Sequence, residues 1–148
     1  MRVKVKKLSP LAKTPQKAHE SDYCYDVWAT SCEEVEPGIW RYGLGLAFEP
    51  VRDDSLAGQD ISIDFRPRSS VWKTGMVLSN CAGTIDEAYR GEVMAYFYEV
   101  IPKRPKYKVG DRIGQIKLGA AVPIEFEEAT ELDVKTERGV GGFGSTGE

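Results

Sequence analysis

Asp60-Ile61-Ser62-Ile63-Asp64-Phe65-Arg66-Pro67 is the stretch that decides the fold. Ile61, Ile63 and Phe65 alternate with Asp60, Ser62, Asp64 and Arg66, which makes one face apolar and the other polar with a period of two. That is a strand covering a core on one side. Pro67 has no N–H to offer a ladder and ends the run. The same period recurs outward from here. Val3 and Val5 share a face, 43–49 and 76–79 read as strands, and 110–118 reads as another with a turn at its start. Residues 92–101 are apolar on both faces, as expected of a strand buried on two sides. Proline stands at 10, 15, 37, 50, 67, 102, 105 and 123, and the gap from 67 to 102 is cut by Gly75, Gly83 and Gly91, so helices have little room. The expectation is an all-β barrel or jelly roll over residues 1–127. Beyond about residue 127 the chain turns polar, and residues 128–148 are expected to form an arm.

Composition narrows the chemistry. At 148 residues the chain is long enough for one domain with a real core, and its formal charge of -3, with no basic run beyond Lys4, Lys6 and Lys7, gives no reason to expect polymeric nucleic acid. The apolar run at 93–98 is too short to span a bilayer and no signal-peptide pattern opens the sequence, so neither a membrane nor export is expected. Cys24, Cys32 and Cys81 are an odd set without metal-ligand spacing, which suggests buried thiols in a reducing interior: the cytoplasm, or a host cell's if a virus encodes the chain. His19 is the single histidine. A Ser-His-Asp triad and a multi-histidine zinc site are thereby nearly excluded, leaving carboxylates and a hard metal ion.

Five segments carry groups suited to a phosphorylated nucleotide. Arg138-Gly139-Val140-Gly141-Gly142-Phe143-Gly144-Ser145-Thr146-Gly147 places five glycines among nine positions beside a guanidinium, two hydroxyls and an aromatic ring. Bare N–H groups, a fixed charge and a flat apolar face can wrap an anion and a base; the plainer reading is a disordered Gly/Ser tail. It is not a Walker A loop, because Ser145 stands where the lysine should be. Pro67-Arg68-Ser69-Ser70 offers a guanidinium and hydroxyls at a strand end, or simply a solvated turn. Between Gly83 and Gly91, a loop between apolar strands brings Asp86 and Tyr89 near a hairpin, where Asp86 is either a turn former or, in a functional reading, a group beside a phosphate and a water. Asp26 lies within Tyr23-Cys24-Tyr25-Asp26-Val27-Trp28, and a carboxylate in that apolar setting must be paired, hydrogen-bonded or near a cation. Gly110-Asp111-Arg112-Ile113-Gly114-Gln115 adds Gln115 as a neutral donor.

In this order and spacing, from about residue 20 onward, these segments resemble the trimeric dUTP pyrophosphatase (dUTPase) family. The resemblance implies a homotrimer of jelly-roll-like β-barrels with a flexible C-terminal arm, hydrolysing dUTP with Mg²⁺ at sites between subunits. It implies that Asp26 holds Mg²⁺ through water and that Arg68, Ser69, Ser70 and Gln115 meet the phosphates. Asn80, Gly83, Thr84, Ile85 and Met94 receive uracil largely through main-chain groups, Tyr89 packs under the deoxyribose, and Asp86 deprotonates the attacking water. From the arm, Arg138, Ser145 and Thr146 close on the phosphates and Phe143 covers the uracil, with Gly142 and Gly144 also among the substrate-binding residues. One departure stands out: Tyr23-Cys24 occupies the place where the family's first motif has Ala-Gly. Trp72-Lys73-Thr74 has no role in this reading. The alternatives are a dCTP deaminase-like enzyme, which would need a catalytic glutamate and usually lacks a tyrosine at position 89, a dUTP-sensing regulatory protein, and a purely structural trimer.

Overall fold

The computed structural model describes residues 1–132, 135 and 136. Among these residues ten strands run in the order β1 (Arg2–Lys7), β2 (Tyr25–Trp28), β3 (Ser31–Glu36), β4 (Ile39–Gly43), β5 (Leu46–Val51), β6 (Asp60–Pro67), β7 (Met76–Leu78), β8 (Gly83–Asp86), β9 (Met94–Glu99) and β10 (Arg112–Ala121). They form two four-stranded sheets, β2-β10-β6-β8 and β3-β4-β9-β7, and a two-stranded ribbon, β1-β5. Every pairing is antiparallel. The only helical pieces among the described residues are two 3₁₀ turns, Asp54–Leu56 and Ser69–Thr74. None is long and apolar enough to cross a membrane.

The inner faces meet in one core. Val27, Ile63, Phe65, Ile113 and Ile116 come from one sheet, Tyr42, Met76, Leu78, Ala95 and Phe97 from the other, and Leu46 and Phe48 from the ribbon. Phe65 and Phe97 meet edge to face across the layers at 6.5 Å, and Phe97 also makes edge contacts with Tyr42 and Tyr107. Such aromatic pairs add roughly 0.5–1.5 kcal/mol each to their area burial.

Several expected boundaries move. The stretch 43–49 is split by Leu44 and Gly45, with β4 ending at Gly43 and β5 starting at Leu46, because Gly45 takes a left-handed φ of +62° where the chain turns from one sheet to the ribbon. The strand within 92–101 is buried on one face only in this chain: Ala95 and Phe97 are 3% and 0% exposed, whereas Met94, Tyr96 and Tyr98 stand 38–45% exposed. An outer apolar face needs a further layer to cover it, and none of the described residues supplies one. Trp72-Lys73-Thr74 closes the 3₁₀ turn after β6, with the Thr74 hydroxyl donating to the Val71 carbonyl and accepting from the Met76 N–H. The thiols are not buried as expected. All three are free, Cys81 is exposed, and Cys24 and Cys32 are half-buried.

Gly114 is where β10 presses hardest on the core. A Cβ there would overlap the Phe65 ring and stand 3.0 Å from the Arg66 carbonyl oxygen, so the aromatic bridge between the sheets fits only over a bare backbone. Gly114→Ala should therefore cost about 1–3 kcal/mol, as overpacking does, lowering the urea midpoint with no change in slope. A midpoint equal to that of the unmodified protein would show that Phe65 has room to shift.

Candidate active site

One outer face of one sheet carries Asp26, Gln115, Thr84 and Asp86, and strand register decides where. In β6 and β10 the inward set is Ile61, Ile63, Phe65, Ile116 and Leu118, so the alternate residues point outward. Gln115 lies between Asp26 and Arg66, Lys117 pairs with Asp64, and Gly119 pairs with Ser62. On the far side of β6, β8 sets Thr84 against Asp64 and Asp86 against Ser62. Asp26 and Asp86 thus occupy opposite corners of the same outer face.

The first corner is cationic around a single carboxylate. Arg112 Nη1 donates to Asp26 Oδ2 at 2.8 Å, and Arg68 Nε stands 3.6 Å from Oδ1. The Asp26 side chain is only 14% exposed, so the pairing expected from its apolar setting is present. Arg68 leads the 3₁₀ turn that follows Pro67, in extended conformation, and Ser69 and Ser70 begin that turn rather than a loop. Gln115 is half-buried, its Nε2 3.5 Å from the Pro67 carbonyl. Asp26, Arg68, Ser69, Ser70 and Gln115 are thus brought together at the ends of β2, β6 and β10.

The partner that the sequence reading missed is Arg112. From Gln115, strict alternation would turn Ile113 outward and Arg112 inward. A register shift between Arg112 and Gly114 reverses this, leaving Ile113 fully buried and the Arg112 side chain 42% exposed. Its adjacency to Asp111 and Gln115 was visible, but a bulge has no periodic signal.

The second corner lies around β8. The expected hairpin between Gly83 and Met94 is not a paired hairpin: β8 pairs with β6 in one sheet, β9 with β4 and β7 in the other, and the connection arches between the layers. Two adjoining cavities open there, of about 310 and 170 Å³. Thr84, Ile85, Met94 and Tyr96 line both, with Asp86, Tyr89 and Glu92 in the larger and Asn80 and Gly83 in the smaller. Neither lining includes Asp26, Arg68, Ser69, Ser70 or Gln115. The turn at Asn80 is tight, since Cys81 adopts a left-handed φ of 57°. The Tyr89 hydroxyl donates to the Glu92 carbonyl at 3.0 Å, and Glu92 Oε1 accepts from the Gly45 N–H at 2.8 Å, tying the arch to the β4–β5 corner. The Asp86 carboxylate is exposed, and no donor among the described residues engages it. Arg138, Gly142, Phe143, Gly144, Ser145 and Thr146 lie outside the described residues.

Between the corners, Asp64 accepts from the Ser62 hydroxyl at 2.9 Å and pairs with Lys117 at 2.8 Å, both charged side chains being less than 20% exposed. The hydrogen bond from Lys117 holds the Asp64 carboxyl below its usual pKa.

Comparison with known proteins points to one family. The dUTPase family model matches residues 12–147. Deoxyuridine 5'-triphosphate nucleotidohydrolases of Nautilia profundicola and Helicobacter pylori are 36% and 34% identical, over 99% of this chain and 99% and 97% of their own lengths. Among solved structures, the Staphylococcus bacteriophage 80alpha dUTPase with dUPNHPP superposes with a TM-score of 0.78 at 24% identity, covering 99% of both chains. The dUTPase of phage phi11 of S. aureus superposes with a TM-score of 0.67 at 19% identity, over 90% of this chain and 99% of its own. At these identities the structural matches establish the fold.

The central pair has a pH signature. A carboxylate with a depressed folded-state pKa contributes stability above its unfolded value near 3.9, and loses it as pH falls through the folded value. Lys117→Met should lower stability at pH 7 by about 1.5 kcal/mol, typical of a charge-assisted hydrogen bond, and flatten the pH dependence below about pH 4. Denaturant titrations from pH 7 to pH 2 measure both, and superimposable stability curves would mean that the pair contributes nothing.

Proposed function

Since this chain belongs to the dUTPase family, we propose that it hydrolyses dUTP to dUMP and pyrophosphate at sites each assembled from more than one copy of the chain. The observation that carries this is the separation of the two corners. Four residues along the strands at about 3.3 Å each and three inter-strand spacings of about 4.8 Å put Asp26 and Asp86 roughly 20 Å apart. A general base works within hydrogen-bond reach of the proton it takes, or through one water, so Asp86 cannot serve phosphates held by Arg68 of its own chain. A second copy bringing its Asp26 corner to this chain's β8–β9 arch closes the gap. A homotrimer would do so and would also supply a layer for the exposed face of Met94, Tyr96 and Tyr98.

In the assembled site, uracil enters the cavities by Asn80, Gly83, Thr84, Ile85 and Met94, where main-chain donors and acceptors match its edge. Cytosine would leave them unpaired, a far stronger penalty than a missing methylene. Tyr89 packs beneath the deoxyribose. Arg68, Ser69, Ser70 and Gln115 neutralise and orient the phosphates. Asp86 takes a proton as the water oxygen bonds to the α-phosphorus and the bond to the bridging oxygen breaks, with pyrophosphate leaving. Asp26 is a suitable anchor for a hard divalent ion. A lone carboxylate in a phosphate site fits Mg²⁺, which usually keeps several waters and takes few protein oxygens. When bound, the ion offsets phosphate charge. Residues 1–127 form the barrel and 128–148 the arm, with Arg138, Gly142, Gly144, Ser145 and Thr146 toward the phosphates and Phe143 over the base. Free thiols, one of them exposed, suit a reducing interior such as the cytoplasm.

Pyrophosphate release across a panel of deoxynucleotides tests the activity: turnover of dUTP with Mg²⁺, with little on dCTP, dTTP or UTP. Ammonia release from dCTP, or no turnover of dUTP, overturns it. Asp86→Asn keeps the shape but not the proton affinity, and should lower kcat by about 10²–10⁴-fold while binding persists. Retention of most of the kcat would assign the base elsewhere.

Shared sites call for a mixing experiment. Asp86→Asn and a deletion of 138–148, each nearly inactive alone, should regain about a quarter of wild-type sites when co-refolded at equal amounts, provided that arch and arm come from separate chains of a closed trimer. No recovery in mixed trimers verified by native mass spectrometry would assign both to one chain.

A further inference from the structure

Gly43 and Gly91 do not take the left-handed backbone that explains Gly45, so φ gives no reason for their missing side chains. Close approach does. A Cβ at Gly91 would stand 2.6 Å from Tyr89 Cζ, so the Tyr89 phenol is folded back over bare chain. A Cβ at Gly43 would stand 2.5 Å from Glu92 Oε1, so that carboxylate oxygen is seated against the end of β4. Both contacts belong to one run of hydrogen bonds. Glu92 Oε1 accepts from the Gly45 N–H at 2.8 Å, and the Glu92 carbonyl accepts from the Tyr89 hydroxyl at 3.0 Å. The Tyr89 N–H in turn donates to the Asp86 carbonyl at 3.0 Å.

Residues 87–93 belong to no strand, so nothing periodic fixes them. Val93, 3% exposed, docks on the same corner, donating to the Leu46 carbonyl and accepting from the Leu44 N–H. Glu92 is half-buried beside it and lines the larger cavity with Asp86 and Tyr89. The Tyr89 side chain is 48% exposed, and an exposed ring ordinarily changes rotamer within nanoseconds. Held at its hydroxyl end by Glu92 and seated on Gly91, this one is confined.

We infer that Glu92 is a positioning residue for sugar selection. Its carboxylate anchors residue 92 to the β4–β5 corner, which fixes the carbonyl that holds the Tyr89 hydroxyl and hence the plane of the ring. The inference rests on the dUTP-hydrolase reading, which packs the deoxyribose on Tyr89, and names what makes that packing selective. A ring fixed in plane rejects a 2′-hydroxyl by clash, whereas a ring free to tilt yields to one.

Glu92→Ala in the full-length protein should narrow the dUTP/UTP ratio of kcat/KM about tenfold, the factor for one charge-assisted hydrogen bond. It should also speed hydrogen exchange at the Gly45 amide. Glu92→Gln should recover most of both, because its amide oxygen can take the same N–H. Tyr89→Phe removes the hydroxyl that responds to Glu92, and in that background Glu92→Ala should narrow the ratio no further. Gly91→Ala reaches the ring without touching the Gly45 bond, and should narrow the ratio while leaving Gly45 exchange unchanged. An unchanged ratio in Glu92→Ala or Gly91→Ala overturns the inference, as does unchanged Gly45 exchange in Glu92→Ala. So does a further loss in the Tyr89→Phe background, or a Glu92→Gln variant no better than Glu92→Ala. Affinities for dUMP and UMP by calorimetry read the same preference without turnover. A wild-type protein that does not hydrolyse dUTP, yet prefers dUMP in a Glu92-dependent way, sinks the hydrolase reading alone.

Discussion

The β6–β10 ladder, eight residue pairs from Gly114↔Pro67 to Ala121↔Asp60, is the constraint on which the rest depends. Its inner face supplies Ile63, Phe65, Ile116 and Leu118 to the core and its outer face carries the rows that end in Asp26 and Asp86. Because side chains alternate with period two, the two assignments are a single choice. A slip of one residue would put the isoleucines in solvent and the charged rows in the core. Hydrophobic burial thus enforces the site's layout without touching the site.

Compactness is bought by close backbone approach at Gly114, where Phe65 lies over the bare chain to reach Phe97. The same ladder then leads at one end into Pro67 and the Arg68 turn. The cationic corner is consequently mounted on the end of a central strand, while the two cavities sit on an arch joining two sheets. Glu92 and Tyr89 tie that arch down through main-chain partners rather than through a ladder.

Electrostatics follows the same division. Two carboxylates of the outer face are paired, Asp26 with arginines and Asp64 with Lys117, which limits the cost of holding them half-buried. Asp86 stands apart with no such partner among the described residues. Arg68 and Arg112 are held against Asp26, and the Asp86 carboxylate is left exposed.

The amino-acid sequence alone determined the all-β class, the strand cores around Ile61, Ile63 and Phe65, and the family, because alternation, proline spacing and motif order are local properties. It also required a partner for Asp26, since burial of a carboxylate among aromatics demands one. The identity of that partner, Arg112, came only from the tertiary structure, because a bulge breaks the period that would have aimed the side chain. Likewise, the glycine-bracketed segment from 83 to 91 read as a hairpin when its two ends belong to different sheets, a matter of long-range pairing that no local pattern encodes. The wide separation of Asp26 and Asp86 across one face was decided by tertiary structure for the same reason: it depends on which strands become neighbours, and that is settled by packing the whole core.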